Sequence, residues 1–229
     1  MISQTLMEVL LPPIGPGKTP YDEFVEAGLG ELFKPDRFGF DSDSPWLLEM
    51  VDAAAAPATI IEVGSFTGGS ARFMADRARS QSKDLAVVCV DTWLGDHELF
   101  HTPYLSALKY QVGTPMIYYT FLATVIDDKL EDWIVPFRMD SYNASVAMGD
   151  ARVMADGIYI DGSHDYDPVL LDLKQYWKLL KPGGWMVIDD YDYTGPRFAG
   201  LIRAVDTFFG RLGVQVEKGP RKARVQKPV

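Results

Sequence analysis

The stretch Glu62-Val63-Gly64-Ser65-Phe66-Thr67-Gly68-Gly69-Ser70 decides the fold. Ahead of it, Ala58 to Val63 is an apolar run of strand length. Behind it, Ala71, Phe73, Met74 and Ala78 fall on one face of a helix. Gly64, Gly68 and Gly69 let the backbone turn sharply between the two and allow a ligand to approach without a Cβ in the way. The spacing is not the G-x-G-x-x-G of dinucleotide sites. Glu62 is poorly placed beside a pyrophosphate and well placed to accept a hydrogen bond from a ligand amine, or from a water bound to it. The helix N-terminus then suits a carboxylate, and Gly64, Ser65, Gly68 and Ser70 become candidate binding residues along the turn.

The same rhythm continues outward. Leu85 to Val90, Trp133 to Phe137, Gly157 to Ile160 and Trp185 to Ile188 read as strands, and Pro168 to Leu180 and Phe198 to Phe209 as helices. Strands alternating with helices predict a doubly wound, mostly parallel α/β sheet of Rossmann-like type. Val214 to Glu217 and Ala223 to Val225 add a short antiparallel C-terminal hairpin. Ser44-Pro45 is a helix start, so residues 44–229 form the domain and residues 1–43 an arm, irregular from Leu11 to Pro20. Residues 93–132 interrupt the rhythm as an insertion. Its aromatics Tyr104, Tyr110, Tyr118, Tyr119 and Phe121, with Trp133 at its end, fit either a lid and substrate wall or additional core. The arm or the insertion is also where a homo-oligomer would form.

In sheets of this type ligands bind beyond the carboxyl ends of the strands. Asp91 ends the second strand, where a carboxylate can hold two ribose hydroxyls. Asp140 and Ser141 follow the third, where a carboxylate can accept from an exocyclic adenine amine while Trp93 offers an apolar face; Asp-Ser is equally an ordinary cap. Asp161 ends the fourth strand and Asp189-Asp190 the fifth. Adjacent strands lie about 4.8 Å apart, so three carboxylates share one corner. Such charges raise one another's pKa unless a cation neutralises them, and an all-oxygen site suits Mg²⁺; helix capping is the plain alternative. His164, three residues beyond Asp161, stands at the mouth of the cleft as a candidate base. Asp167-Pro168 reads only as a helix start.

With 229 residues, 47% hydrophobic and 24% charged, the chain can bury a sizeable core. Its formal charge of -10 repels phosphate backbones, which argues against nucleic acid as substrate. Lys218, Arg221, Lys222, Arg224 and Lys227 form a basic patch that reads as the solvated face of the hairpin. The chain carries no bilayer-spanning apolar run and no signal-peptide pattern, so the expected setting is the cytoplasm, without a membrane partner. Cys89, the single cysteine, lies in an apolar strand and reads as an inert buried thiol. His97-Glu98-Leu99-Phe100-His101 matches the H-E-x-x-H pattern of zinc hydrolases, but Gly95 and Pro103 leave it a helix of barely two turns. A nucleotide-binding module on a similar sheet is the other rival.

From the glycine turn through Gly183-Gly184 the chain resembles the class I S-adenosylmethionine-dependent methyltransferases. Glu62 to Ser70, Asp161-Gly162-Ser163-His164, Leu180-Lys181-Pro182-Gly183-Gly184 and Ile188-Asp189-Asp190-Tyr191 look like the small-molecule O-methyltransferases, macrocin-type sugar enzymes above all, with catechol O-methyltransferases and cephalosporin-hydroxylase-like proteins further out. The resemblance covers about two thirds of the chain and leaves out the arm and the insertion. It implies S-adenosyl-L-methionine as cofactor, a small-molecule acceptor (sugar, polyol or phenol), and Mg²⁺ or a similar divalent cation held by Asp161, Asp189 and Asp190. The metal would acidify the acceptor hydroxyl, and His164 would receive its proton.

Overall fold

A computed structural model describes residues 1–11, 17–37, 44–95, 97, 110–111, 113–191 and 195–229. Its elements run α1 (Ile2–Leu10), α2 (Pro20–Glu26), α3 (Pro45–Ala53), β1 (Ala58–Val63), α4 (Gly69–Ser80), β2 (Leu85–Asp91), β3 (Tyr110–Gln111), β4 (Thr114–Pro115), α5 (Ile117–Asp128), β5 (Ile134–Arg138), α6 (Ser141–Asp150), β6 (Ala155–Ile160), α7 (Tyr166–Leu179), β7 (Leu180–Ile188), α8 (Ala199–Leu212), β8 (Glu217–Gly219) and β9 (Lys222–Gln226). One seven-stranded sheet has the order β5-β2-β1-β6-β7-β9-β8, and β3 and β4 form a separate two-stranded ribbon. β5, β2, β1, β6 and β7 are parallel; β9 runs antiparallel to β7, and β8 to β9. Every residue of β1 and the first six of β2 are buried, as helices on both faces require. The strand order reverses between β1 and β6, so the crevice of such a sheet opens where these two end.

Several elements differ from the sequence expectation for identifiable reasons. α7 starts at Tyr166 after Asp165, two residues before Pro168. Pro168 is tolerated there because first-turn N–H groups have no intrahelical acceptor to lose. β7 begins at Leu180 and runs through Gly183-Gly184, paired to β6 across a register shift. The insertion contains the crossover helix α5, whose residues Ile117, Thr120, Phe121, Leu122, Ala123, Thr124 and Val125 are all buried. An apolar surface that broad blurs helical periodicity. Some of its aromatics serve the core, since Phe121 is fully buried and Tyr119 stacks on Phe33 of the arm at 4.9 Å between ring centroids, whereas Tyr110 is exposed. Tyr104 lies outside the described residues.

The arm packs on its own domain. The Ile2 N–H donates to Asp84 at 2.8 Å, and the buried Tyr21 hydroxyl donates to the Ile134 carbonyl at 3.0 Å. The basic C-terminus is a solvated face only in part: Lys218 and Arg221 are exposed, and the other three basic residues correct the reading from alternation. Lys222 is buried, Arg224 pairs with Glu217 and Glu49 while lying over Trp46 and Trp185, and the Lys227 ammonium donates to the Trp177 and Leu180 carbonyls. Among the described residues, no helix is long and apolar enough to cross a membrane.

Gly64 fixes how closely β1 meets the loop after β6. It has φ +87°, and a Cβ there would lie 2.2 Å from the Asp161 carbonyl oxygen. Gly64→Ala is expected to destabilise by about 3 kcal/mol or more, through backbone strain plus an overlap with backbone atoms that cannot turn aside. Gly210, inside α8 with nothing within 4 Å of its Cβ position, is the control. Gly210→Ala should stabilise by about 0.4–1 kcal/mol. Urea denaturation midpoints of the two variants check both signs.

Candidate active site

The glycine turn is held from below by Asp91. Its Oδ2 accepts from the Ser65 and Phe66 N–H groups at 3.0 and 2.8 Å, and its Oδ1 accepts from the Trp93 N–H at 2.7 Å. These bonds hold Phe66 and Trp93 at φ of 46° and 52°, a region that bulky side chains rarely enter. The Trp93 ring is fully buried against Tyr118 and Phe121, and its indole N–H donates to the Phe66 carbonyl at 2.7 Å. Trp93 therefore braces the turn and presents no ring face to a ligand, contrary to the sequence expectation. Gly68 is likewise required by the protein itself, since a Cβ would meet the Phe121 ring at 2.8 Å.

Glu62 is completely buried at the base of the turn. The Ser70 hydroxyl donates to its Oε1, whereas among the described residues its Oε2 and the buried Ser65 hydroxyl have no hydrogen-bond partner. Burial pushes the Glu62 carboxyl up to about 7, and the bond from the Ser70 hydroxyl pulls it back only in part. Orphaned buried polar atoms are costly and uncommon. An amine, or a water carried by one, is the chemistry that would satisfy both atoms. Cys89 beneath them is inert, its thiol pushed well up by burial and by Glu62.

Asp140 and Ser141 are drawn into structural work. Asp140 is the exposed N-cap of α6, accepting from the Asn143 N–H at 2.9 Å and its side-chain amide at 2.7 Å, bonds that lower its pKa. The Ser141 hydroxyl donates at 2.6 Å to Asp172, a buried carboxylate on α7 whose pKa burial raises to about 6. Sequence reading passed over Asp172. The available signal was its position on the inner face of α7 with Val169, Leu173 and Tyr176.

The acidic corner exists, and its partners differ from those expected. Asp189 Oδ1 accepts from the Lys222 ammonium at 2.5 Å and the Asp190 N–H at 2.8 Å, and its Oδ2 accepts from the buried Tyr159 hydroxyl. Lys222 also reaches the Tyr159 oxygen at 3.1 Å. Asp190 is turned the other way, its Oδ2 lying 2.9 Å from His164 Nε2. Burial and the charges of Asp189, Asp190 and Glu62 raise the Asp161 pKa well above the usual range, with Lys222 opposing them. Among the described residues no group of three His, Cys, Asp or Glu side chains is arranged to hold a metal ion. Of the expected ligand set, Asp189 is thus taken by an ammonium and Asp190 by an imidazole, and Asp161 stands with neither. His164 is fixed from two further sides: its ring meets Phe198 edge-on at 4.9 Å, and Gly200 of α8 comes so close that a Cβ there would lie 2.8 Å from the His164 carbonyl oxygen. Of the H-E-x-x-H pattern, His97 is exposed and 3.9 Å from Asp165; Glu98 and His101 lie outside the described residues.

Two outcomes are expected. Lys222→Met strands a buried carboxylate and should cost about 3–5 kcal/mol in denaturant unfolding, with part recovered when Asp189→Asn is added. Glu62 binds its proton more tightly in the native than in the unfolded chain. Its contribution to stability is therefore complete below pH 4.5 and is lost as pH rises through about 7. The loss should be on the order of 3 kcal/mol. Glu62→Gln should flatten the stability profile across that window, as measured by unfolding at a series of pH values.

Comparison with known proteins agrees with this architecture. The calicheamicin methyltransferase CalS11 superposes with a TM-score of 0.57 at 17% identity, covering 98% of this chain and 90% of its own. An O-methyltransferase from Bacillus cereus, solved in complex with SAH, gives 0.56 at 15%, covering 99% and 97%. An uncharacterized protein of Acanthamoeba polyphaga mimivirus, R132, is 49% identical over 39 residues, a match spanning 17% of this chain and 18% of that protein. The structural likenesses show the shared fold. Residues 61–191, from Ile61 in β1 to Tyr191 after β7, match the family described as methyltransferase domain, and the chain belongs to that family.

Proposed function

We propose that the protein transfers a methyl group from S-adenosyl-L-methionine to a hydroxyl of a small molecule, with His164 as general base. The observation that carries this reading is the His164–Asp190 pair, 2.9 Å apart and largely shielded from solvent. His164 stands on the loop after β6 that the Gly64–Asp161 contact presses against the glycine turn. A hydroxyl must lose its proton as it attacks, and an imidazole steadied by a carboxylate is suited to take it.

The cofactor would supply an electrophilic methyl on a sulfonium centre. The protein's own groups do the rest. Glu62 Oε2 and Ser65 Oγ meet the amine of the amino-acid end, while Gly64, Gly68 and Ser70 shape the turn around it. Asp91 holds that turn in place and faces the ribose side. The net charge of -10 favours a small acceptor over nucleic acid, with sugars, polyols and phenols the matching classes, and the cytoplasm the matching setting.

Calorimetry should show S-adenosylhomocysteine binding that Asp91→Ala weakens strongly. A ligand amine near Glu62 favours the ionised carboxylate, so binding near pH 6 should release a proton, seen as a dependence of the heat on buffer ionisation. His164→Ala should lower kcat by about 10²–10⁴ with cofactor affinity unchanged, the range for losing a general base. Wild-type turnover in that variant would remove His164 from the reaction.

A further inference from the structure

A divalent cation at the corner where β6 and β7 end is what the three carboxylates suggest, and the side chains present do not fit one. Asp189 is the corner's most buried carboxylate, and both its oxygens are engaged: Oδ1 by the Lys222 ammonium and the Asp190 N–H, Oδ2 by the Tyr159 hydroxyl. Lys222 is itself 7% exposed. Lysine is almost never that buried unless its charge is matched. The ladder explains its placement. β9 pairs antiparallel with β7, Ile188 opposite Ala223, which brings Lys222 level with Asp189 just past the end of the parallel sheet.

We propose that Lys222 is a built-in replacement for that cation, and that methyl transfer at this site, on the reading given above, runs without a divalent metal. An ammonium 2.5 Å from Asp189 repels a second cation from the same oxygen. Lys222 is also a positioning residue. It anchors Asp189, Asp189 holds the Asp190 N–H, and that bond keeps Asp190 at φ 56°, from where its carboxylate reaches His164. The positive charge thus orders the base from beneath, by three contacts and without touching the acceptor.

The test is a Mn²⁺ titration followed by electron paramagnetic resonance, with S-adenosylhomocysteine calorimetry on the same preparations. Wild type and Lys222→Arg should leave Mn²⁺ free at millimolar concentrations. Lys222→Met, which vacates the charge position and releases Asp189, should take up one equivalent at least tenfold more tightly. A micromolar Mn²⁺ site in the wild type that Asp189→Asn abolishes would overturn the proposal, and this arm decides it even if Lys222→Met does not fold. A folded Lys222→Met that binds Mn²⁺ no better than wild type would also overturn it. Failure to bind S-adenosylhomocysteine would instead defeat the methyl-transfer reading, so the two are distinguished.

Discussion

Three backbone N–H groups converge on the carboxylate of Asp91, and through them the end of β2 dictates the shape of the turn after β1. The residues bound to it adopt conformations that a chain enters reluctantly: Phe66 in the turn and Trp93 after β2 both have positive φ without being glycine. Each such residue costs about 1–3 kcal/mol, and a hydrogen bond to a charged acceptor returns about 1.5–3 kcal/mol. The two sides are of the same size, so the turn persists because the carboxylate is there. With Trp93 locked beneath and Asp161 pressed against Gly64, the cleft floor is assembled before any ligand arrives, which lowers the ordering cost of binding.

The corner beside it illustrates how a protein neutralises crowded carboxylates by division. Asp189 goes to an ammonium, Asp190 to an imidazole, and Asp161 feels the charges of both carboxylates. Each partner is covalently part of the chain, so their geometry is set by packing. The partners also come from widely separated segments. Lys222 is 63 residues from Tyr159 and 33 from Asp189, and His164 is 26 from Asp190.

That separation explains what the sequence made legible. The parallel strands could be read because each is a local run of buried residues bounded by turn signals, and β1 has the limits its composition suggests. That Glu62, Asp91, Asp161, Asp189 and Asp190 stand at or just beyond the ends of parallel strands was legible because the fold class alone sets those positions. α5 was missed since a helix buried on most sides loses its periodic stripe. The roles of Lys222, Trp93 and Asp172 were illegible for a different reason. Each depends on what it touches across the fold, and nothing local in Lys222-Ala223-Arg224 says that this strand lies against β7. Alternation predicts two faces and says nothing about which one meets a carboxylate.

The hairpin's place in the chain has a consequence for synthesis. β7 emerges before the strand that covers its edge, and Lys222 follows Asp189 by 33 residues. At roughly 5–20 residues per second this is an interval of about two to seven seconds. During it, the nascent sheet offers a bare row of unpaired N–H and C=O groups along Trp185 to Ile188, the positions that later pair with Gln226 to Ala223. The same interval leaves Asp189 without its ammonium. One short hairpin therefore closes an aggregation-prone edge and supplies the missing charge in a single docking event, and a nascent chain stalled before it would carry both defects at once.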